Sequence, residues 1–425
     1  MIGDRWLHGL RLICITLALG AAACANRNRT ATPEITPGAT AQPSSSVGSL
    51  QLRTFDTLWS IVDENYIDES FGGVDWQAVR DEFRPQVEAG LSAEAFAELL
   101  QDALARLPEG AAAWQSRADR VEADSADASR FEGIGAFIAF RAQPEPRVVL
   151  LSVMPDSPAE KAGLQAHDSI LAIDGDPVKR EEGQSVVSRI RGPSGSRVTL
   201  TVRSPGRSPR AVSVTRGRVT ASDVLTGGSL ANGAIGYLLF PAAPPDTLAE
   251  DVVRGLQGLN EQRELAGLIL DLRIATASEG WPLNEMMTLF ADGELGQMRS
   301  RHGADSILVA GQNISNSQIL PLTIIVGPDT NGAPEIFAAA LQSIGRARVV
   351  GQPTTGSVRT VGEFPLPDGS RVFVLAGTIV TPDGRDLGQV GVEPDVVVEA
   401  DWDEVSVDDD LVRDAAARAL RPPSR

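Results

Sequence analysis

The chain has 425 residues, of which 42% are hydrophobic and 22% charged, and it carries a formal net charge of −18. That charge would repel nucleic acid phosphates over most of the surface, so we expect no nucleic acid partner. The length leaves room for two or three domains, and the patterns along the chain predict an α+β multidomain protein.

The first 24 residues have the pattern of an export signal. Arg5 and Arg11 precede an apolar run, 12–19, that is too short to span a bilayer. Small residues then lead into Cys24, an arrangement that resembles a bacterial lipobox, in which the cysteine is acylated. We predict a lipoprotein signal peptide over 1–24 and a lipid anchor at Cys24. The protein would then lie on the outer face of the cell membrane or in the periplasm, with cleavage and plain secretion as the alternative.

Cys14, the only other cysteine, lies in the segment that cleavage would remove, so no disulfide is expected. Residues 25–49 are rich in Pro, Ser, Thr and Ala and predict a flexible tether. Over 50–129 apolar residues recur at helical spacing and predict a helical domain, with a helix start at Ser92. Three aromatic residues of this segment are expected in its core: Trp59, Tyr66 and Trp76.

Residues 130–218 change to short strands separated by turns. The pattern predicts strands at 148–153, 169–173 and 197–202, and a short helix with Pro158 near its start and Gly163 at its end. The succession of FEGIGAFIAF, VMPDSPAEKAGLQAHDSILAIDGDPV and RIRGPSGSRVTLTV resembles a PDZ domain. His167, in the loop before a strand, is expected at the surface.

The PDZ resemblance implies a site for polypeptide C-termini. A terminal carboxylate would bind consecutive backbone N–H groups of Gly133, Ile134, Gly135 and Ala136. The peptide would add as a strand beside Phe137 to Phe140, with its last side chain against Val186, Val187 and Ile190. The alternative is a PDZ domain that only packs against its neighbours.

Residues 219–405 alternate strands and helices, which predicts an α/β core. Residues 406–425 predict a C-terminal helix and tail, in which the acidic run 408–410 stabilises the helix start. The predicted core strands are 234–240, 267–272 and 322–326, and the predicted helices are 248–259, 282–290 and 334–344.

The order of helical domain, PDZ domain and α/β core resembles the C-terminal processing peptidases, also called tail-specific proteases. The resemblance is closest in PEIFAAALQSIGRARVVGQPTTGSVRTVGEFPLPDGS and TPDGRDLGQVGVEPDVVV. It implies a serine nucleophile that is activated by a neutral lysine and gated by the PDZ domain, because a hydroxyl at its free pKa attacks poorly.

The catalytic positions of that family are changed here. Where the family has Ser-Ala-Ser-Glu with its nucleophile, the chain reads Gly332-Ala333-Pro334-Glu335. The lysine position is Ser357 or is deleted. Only Gly280 remains as an oxyanion donor of the expected turn, although Ser278 is a further polar group close by. Thr330 and Asn331 are predicted to cap the helix at Pro334.

The whole chain contains two lysines, Lys161 and Lys179, and both lie in the PDZ segment. His302 is the one histidine of the core and is expected on an exposed loop, while arginine stays protonated and is no base. We therefore predict a pseudopeptidase that binds polypeptide C-termini without cleaving them. The alternative is an active serine-type endopeptidase with a non-standard site. No nucleotide motif or metal-ligand spacing is present, so neither cofactor nor metal is expected.

Overall fold

A computed structural model describes residues 45–125, 130–220, 223–231, 233–276, 281–356 and 358–420. The helices are α1 Ser45–Asn65, α2 Trp76–Glu88, α3 Ala93–Leu104, α4 Arg117–Ser125, α5 Pro158–Lys161, α6 Val187–Ile190, α7 Leu248–Gln262, α8 Leu283–Phe290, α9 Ala333–Ser343, α10 Leu387–Val390 and α11 Leu411–Ala419. Short 3-10 helices are Phe71–Gly73, Arg180–Val186 and Trp402–Glu404.

The strands are β1 Ala112–Gln115, β2 Arg130–Gly133, β3 Ala136–Arg141, β4 Arg147–Val153, β5 Ser169–Ile173, β6 Asp176–Pro177, β7 Arg197–Arg203, β8 Arg210–Thr215, β9 Gly217–Thr220, β10 Thr226–Leu230, β11 Ile235–Leu239, β12 Gly267–Asp271, β13 Gly293–Ser300, β14 Gly303–Val309, β15 Leu322–Val326, β16 Arg348–Gly351, β17 Thr360–Pro365, β18 Arg371–Val380 and β19 Val396–Val397. The predicted α+β architecture is confirmed. None of the described helices combines the length and apolar character needed to cross a membrane.

The chain divides into two compact units, and the described part of the first is 45–125 with 361–377. Helices α1, α2 and α3 share an apolar core with β1 and the start of β18, which pair antiparallel. Ser92 caps α3 as predicted, because its hydroxyl accepts a hydrogen bond from the Ala95 N–H at 3.2 Å. Helix α1 begins inside the predicted tether, so residues 45–49 are helical.

The aromatic residues predicted for this core include a reciprocal pair. The Trp59 indole N–H donates to the carbonyl of Trp76 at 2.8 Å, and the Trp76 indole N–H donates to the carbonyl of Trp59 at 3.1 Å. Trp76 and Tyr66 are buried, and Trp59 is half-buried under the guanidinium of Arg80. Both indole donors are thus satisfied inside an apolar cluster, which explains why the rings pack rather than face solvent.

The described part of the second unit is 130–360 with 378–420. It contains a sheet in the order β3-β4-β5-β7-β8, in which β3 is an edge strand, and the β2–β9 pair beside the start of β3. Ser157 caps α5, its hydroxyl accepting from the Glu160 N–H at 3.1 Å, and Gly163 takes a φ of 77° after the helix. This helix start and end were predicted from Pro158 and Gly163.

The second unit also holds a six-stranded sheet in the order β10-β11-β12-β15-β16-β19, which is parallel except for β10. Every residue of β12 and β15 is buried, as expected for parallel strands covered on both faces. Helices α7, α8 and α9 contribute to the core cluster of this sheet, and α11 contributes to a second cluster that includes Ile269, Ile325 and Val350.

Candidate functional site

The first turn of α9 follows the carboxyl end of β15, where the family resemblance expects a nucleophile. Gly332 is the N-cap residue, is buried, and has φ 65° and ψ −126°. Those angles favour glycine, because a Cβ would be strained there. The position therefore offers no side-chain oxygen, and its backbone is relaxed only because the residue is glycine.

The loop before α9 is tied to the end of β12. The Thr330 hydroxyl donates to the carbonyl of Leu272 at 2.8 Å and accepts from the Gly327 N–H at 2.9 Å. The Asn331 N–H donates to the carbonyl of Ala275 at 3.3 Å. The prediction that Thr330 and Asn331 cap α9 was wrong, because Gly332 is the N-cap and the Thr330 hydroxyl satisfies loop backbone instead.

Glu335, in the first turn of α9, is fully buried. Its carboxylate accepts hydrogen bonds from the Thr354 hydroxyl and, at 2.7 Å, from the Gly356 N–H. The Thr354 hydroxyl oxygen also accepts from the Val392 N–H at 2.8 Å. A buried carboxylate needs such donors, so Glu335 holds the segment that in the family leads to the lysine against the start of α9.

The sequence of the core supplies no lysine to this neighbourhood. Ser357, which occupies the lysine position unless that position is deleted, lies outside the described residues. Arg359, two residues later, donates from Nε to the Gly388 carbonyl at 3.1 Å. Lys161 and Lys179 are exposed in the segment 130–218, and the sequence has no lysine after Lys179. Arginine cannot replace lysine as a proton acceptor at neutral pH.

The predicted oxyanion residue Gly280 and the neighbouring Ser278 also lie outside the described residues. The first described residue after them, Trp281, is buried, and its ring lies 5.6 Å from the ring of Phe337 in α9 and 6.3 Å from that of Phe240. An aromatic cluster thus packs against α9 directly after the expected oxyanion turn.

The two histidines of the described residues, His167 and His302, differ from each other. His302 is exposed in the turn between β13 and β14, as predicted. His167 is buried, with 7% of its surface exposed, so the expected surface position was wrong. Its ring stacks on that of Trp402 at 4.0 Å, and Nδ1 lies 2.7 Å from the Trp402 carbonyl. Burial lowers the pKa of His167 and favours the neutral ring.

The predicted carboxylate site is a tight turn at the start of β3. Gly135 has a φ of 80°, and a Cβ there would lie 2.4 Å from the Cβ of Ser157, so only glycine fits. The carbonyl of Ile134 accepts from Ala159, and that of Gly135 accepts from Met154. Within the described residues, the N–H groups of Ile134 and Gly135 donate to no other group. These donors have the arrangement that binds an anion.

The predicted peptide-binding groove would lie between β3, an edge strand, and the segment that contains the 3-10 helix 180–186 and α6, which contacts β3. Val186 and Ile190 are buried in the core of this sheet, and Val187 is half-buried. The Phe137 side chain instead packs with Ile274 and Trp402 on the opposite side. Of the predicted peptide contacts, Phe137 can therefore contribute its backbone but not its ring, because alternate residues of a strand face opposite ways.

Two arginines of the segment 130–218 form ion pairs with the core. Arg147 pairs with Asp403, Nε to Oδ2 at 2.6 Å, and with Asp401 at 3.0 Å. Arg141 pairs with Asp401 at 2.8 Å and also with Asp329. Beside these pairs, Ala139, Val149 and Leu151 pack against Ile274 and Trp402. A charged contact and an apolar contact thus fix the sheet that carries the groove to the core.

The charge of Asp403 is maintained by this contact. Burial opposes its ionisation, but hydrogen bonds from Arg147 and Ser169 outweigh that effect and hold its pKa below the ordinary value. Local sequence patterns could not predict these partners, because Arg147 and Asp403 are 256 residues apart.

A second buried network lies at the end of β12. Arg273 lies between Asp271, at 2.6 Å, and Asp410, at 2.6 Å, and its guanidinium lies over the Trp402 ring. Asp410 also caps α11 by accepting from the N–H groups of Val412 and Arg413, so the acidic helix start was predicted correctly. Among the described residues, no group of three or more His, Cys, Asp and Glu side chains is placed to hold a metal ion.

Comparison with known proteins supports the interpretation of the fold as a PDZ domain joined to a peptidase-like α/β core. Residues 234–398 match peptidase family S41, residues 149–204 match the PDZ domain, and residues 53–105 match the tricorn protease C1 domain. The carboxyl-terminal-processing protease of Picosynechococcus sp. is 32% identical over 351 residues, which cover 80% of this chain and 81% of that protein.

Two further relatives agree. The chloroplastic C-terminal processing peptidase of Tetradesmus obliquus is 30% identical over 85% of this chain and 80% of its own length. The solved structure of a photosystem II D1 C-terminal processing protease superposes with a TM-score of 0.62 at 27% identity, covering 82% of this chain and 93% of that one. The fold and the sequence together define a PDZ-containing serine peptidase architecture. The chain belongs to the C-terminal processing peptidase family.

Proposed function

We propose that this chain is a pseudopeptidase: it binds polypeptide C-termini through its PDZ domain and does not hydrolyse them. The observation that carries the proposal is Gly332 at the start of α9, where the family pattern has its nucleophile. A glycine has no group that could form an acyl-enzyme, and the core sequence has no lysine to accept a proton. Fold membership alone does not imply activity.

The binding half of the proposal is supported by the groove. The N–H groups of Ile134 and Gly135, which donate to no other group of the described residues, suit a carboxylate. Strand β3 is an edge strand that can pair with an extended peptide. Of the three predicted apolar contacts, only the half-buried Val187 offers surface to a ligand, because Val186 and Ile190 are buried in the core of this sheet.

Hydrolysis is tested with the full chain purified in detergent and incubated with unfolded polypeptides. We expect no more cleavage than in a mock purification. Turnover that co-purifies with the chain would refute the pseudopeptidase and favour the active endopeptidase. The variant Gly332→Ser/Ser357→Lys restores both family groups, and cleavage by it alone would identify these two substitutions as the cause of inactivity.

Binding is tested by titrating labelled peptides that differ only in a free or an amidated C-terminus. The free carboxylate should bind more tightly, because the amide removes the charge that the N–H groups attract. Equal affinity for the two forms would contradict the assignment of the cradle at Gly133 to Ala136.

The lipid anchor is part of the same proposal and rests on the residues that precede Cys24. An anchor would concentrate the groove beside other membrane-bound proteins. In a bacterial host, mass spectrometry of the mature N-terminus should find acylated cysteine. The variant Cys24→Ser should lose the modification and the membrane fraction, while Cys14→Ser, in the removed segment, should keep both.

A further inference from the structure

The charge of the chain is unevenly distributed. Residues 130–218 contain 14 Arg and Lys against 9 Asp and Glu, although the whole chain has a net charge of −18. The segment that forms the groove is therefore positive, while the rest of the chain carries the negative excess. Such a field attracts ligands of negative charge and repels positive ones.

Several arginines of this segment form ion pairs with carboxylates. Arg141 and Arg147 pair with core carboxylates, Arg189 pairs with Glu182, and Arg203 pairs with Glu145. The carboxylates of these pairs balance the charge of the four arginines.

Arg180 is different. It is exposed and, within the described residues, forms no ion pair. With the Gln143 carboxamide oriented so that its oxygen faces Arg180, that oxygen accepts hydrogen bonds from both terminal nitrogens at 2.8 and 3.2 Å. The neutral amide positions the guanidinium without cancelling its charge. Lys179, next to it, is also exposed, while Glu181 is the one exposed carboxylate that follows.

The position of Arg180 relative to the groove follows from the strand direction. A peptide whose carboxylate lies at Ile134 to Ala136 must run antiparallel to β3, so its upstream residues follow β3 toward Arg141 and Gln143. At about 3.3 Å per residue, the ligand residues roughly four to seven positions before the terminus lie at that end. Arg180 is bound to Gln143 at the same end.

We propose that the groove selects C-termini that carry Asp or Glu about four to seven positions before the terminal carboxylate. In this proposal the guanidinium of Arg180 binds the acidic side chains. The inference rests on the proposed binding of C-termini. The terminal carboxylate occupies the cradle, the last side chain lies beside Val187, and the upstream carboxylates face the guanidinium of Arg180.

The test uses the full chain and three peptides with the same last three residues and a free C-terminus. The upstream segment is Glu-rich, Gln-rich or Lys-rich. We expect the Glu peptide to bind roughly threefold to tenfold more tightly than the Gln peptide, and the Lys peptide to bind most weakly. The difference should shrink between about 0.05 M and about 0.5 M salt, because the contacts are solvent-exposed.

Two variants identify the residue responsible. Arg180→Glu should abolish the preference for the Glu peptide and leave the affinity for the Gln peptide within about twofold. Arg207→Glu makes the same charge change in the exposed turn between β7 and β8, at the opposite edge of the sheet from β3, and should keep most of the preference.

The possible failures are distinguishable. Equal affinity for the Glu and Gln peptides, both above their amidated forms, would overturn the acidic preference and leave the proposed function standing. A Glu preference that survives in Arg180→Glu would overturn the role of Arg180. If free and amidated peptides bind alike, the proposed function itself fails.

Discussion

The guanidinium of Arg147 and the carboxylate of Asp403 form a buried ion pair, with Nε 2.6 Å from Oδ2 and side chains 3% and 4% exposed. The pair joins the PDZ sheet to a short 3-10 helix of the core. Its surroundings also include Arg141, Asp401 and the apolar cluster at Trp402. The sheet that carries β3 is thus fixed to the core, and several measurable consequences follow from the residues around this contact.

Breaking this pair should be costly. Arg147→Ala leaves Asp403 buried without its main partner, and loss of one member of a buried pair costs about 3–5 kcal/mol in the free energy of unfolding. Chemical denaturation measures the change. Arg203→Ala is the matched control, since Arg203 pairs with Glu145 at side-chain exposures of 36% and 52%, and it should cost at most about 1 kcal/mol. Similar losses in both variants would contradict the structural role of the buried pair.

Stability should fall on acidification in two stages. The folded-state pKa of His167 is lowered from 6.5 by burial, so the unfolded chain takes up the proton first and stability decreases as the pH falls below about 6.5. The groups around this ring are Trp402, Arg273, Asp410 and Asp271. The folded-state pKa of Asp403 is lowered from 3.8, so its contribution is present above that value and is lost as the pH falls through the folded-state pKa.

The variant His167→Asn isolates the first stage. Asparagine tolerates the positive φ of 72° at this position and does not titrate. Urea denaturation at several pH values between about 7.5 and 5 should give a flatter profile for the variant than for the parent. Parallel profiles would assign the upper stage to another group.

Gly332 should resist substitution. Gly332→Ala introduces a Cβ at φ 65° and ψ −126°, which should destabilise the fold by about 1–3 kcal/mol. The control is Gly258→Ala on α7, where nothing lies within 4 Å of the added Cβ and φ is not positive. That change should stabilise by roughly 0.5–1 kcal/mol, because alanine favours a helix. A tolerated alanine at 332 would argue against the strained backbone.

The Thr354 hydroxyl should matter more than another buried hydroxyl. Thr354→Val removes a donor to the Glu335 carboxylate and an acceptor for the Val392 N–H, and should cost about 1–3 kcal/mol. Thr323, in β15, is fully buried, and its hydroxyl has no partner among the described residues. Thr323→Val should therefore be neutral or stabilising. Calorimetric unfolding of both variants tests the contrast, and equal losses would contradict it.

Local pattern predicted much of the architecture. Residues 322–326 and 169–173 are strands with the predicted bounds, since each is a short run of apolar or β-branched residues between turns. Helix α9 was predicted at 334–344 and spans Ala333–Ser343. The capping residues Ser92 and Asp410 were also found, because a cap depends only on neighbours in sequence.

The residues whose environment was predicted wrongly all contact partners that are distant in sequence. His167 reads as a loop residue, yet it is buried because Trp402, which follows it by 235 positions, covers its ring. Thr330 reads as a cap, yet its hydroxyl meets the end of β12. Phe137 reads as part of a peptide-binding strand, yet its side chain packs on the core.

The amino-acid sequence by itself determined that this family member lacks a core lysine and has glycine where the family pattern has serine, since the presence of a chemical group does not depend on how the chain folds. The tertiary structure alone decided which charges are buried together, as in Arg147 with Asp403, and which remain exposed, as in Arg180. Burial and ion pairing depend on contacts between residues that are hundreds of positions apart in sequence. Local periodicity contains no information on those contacts.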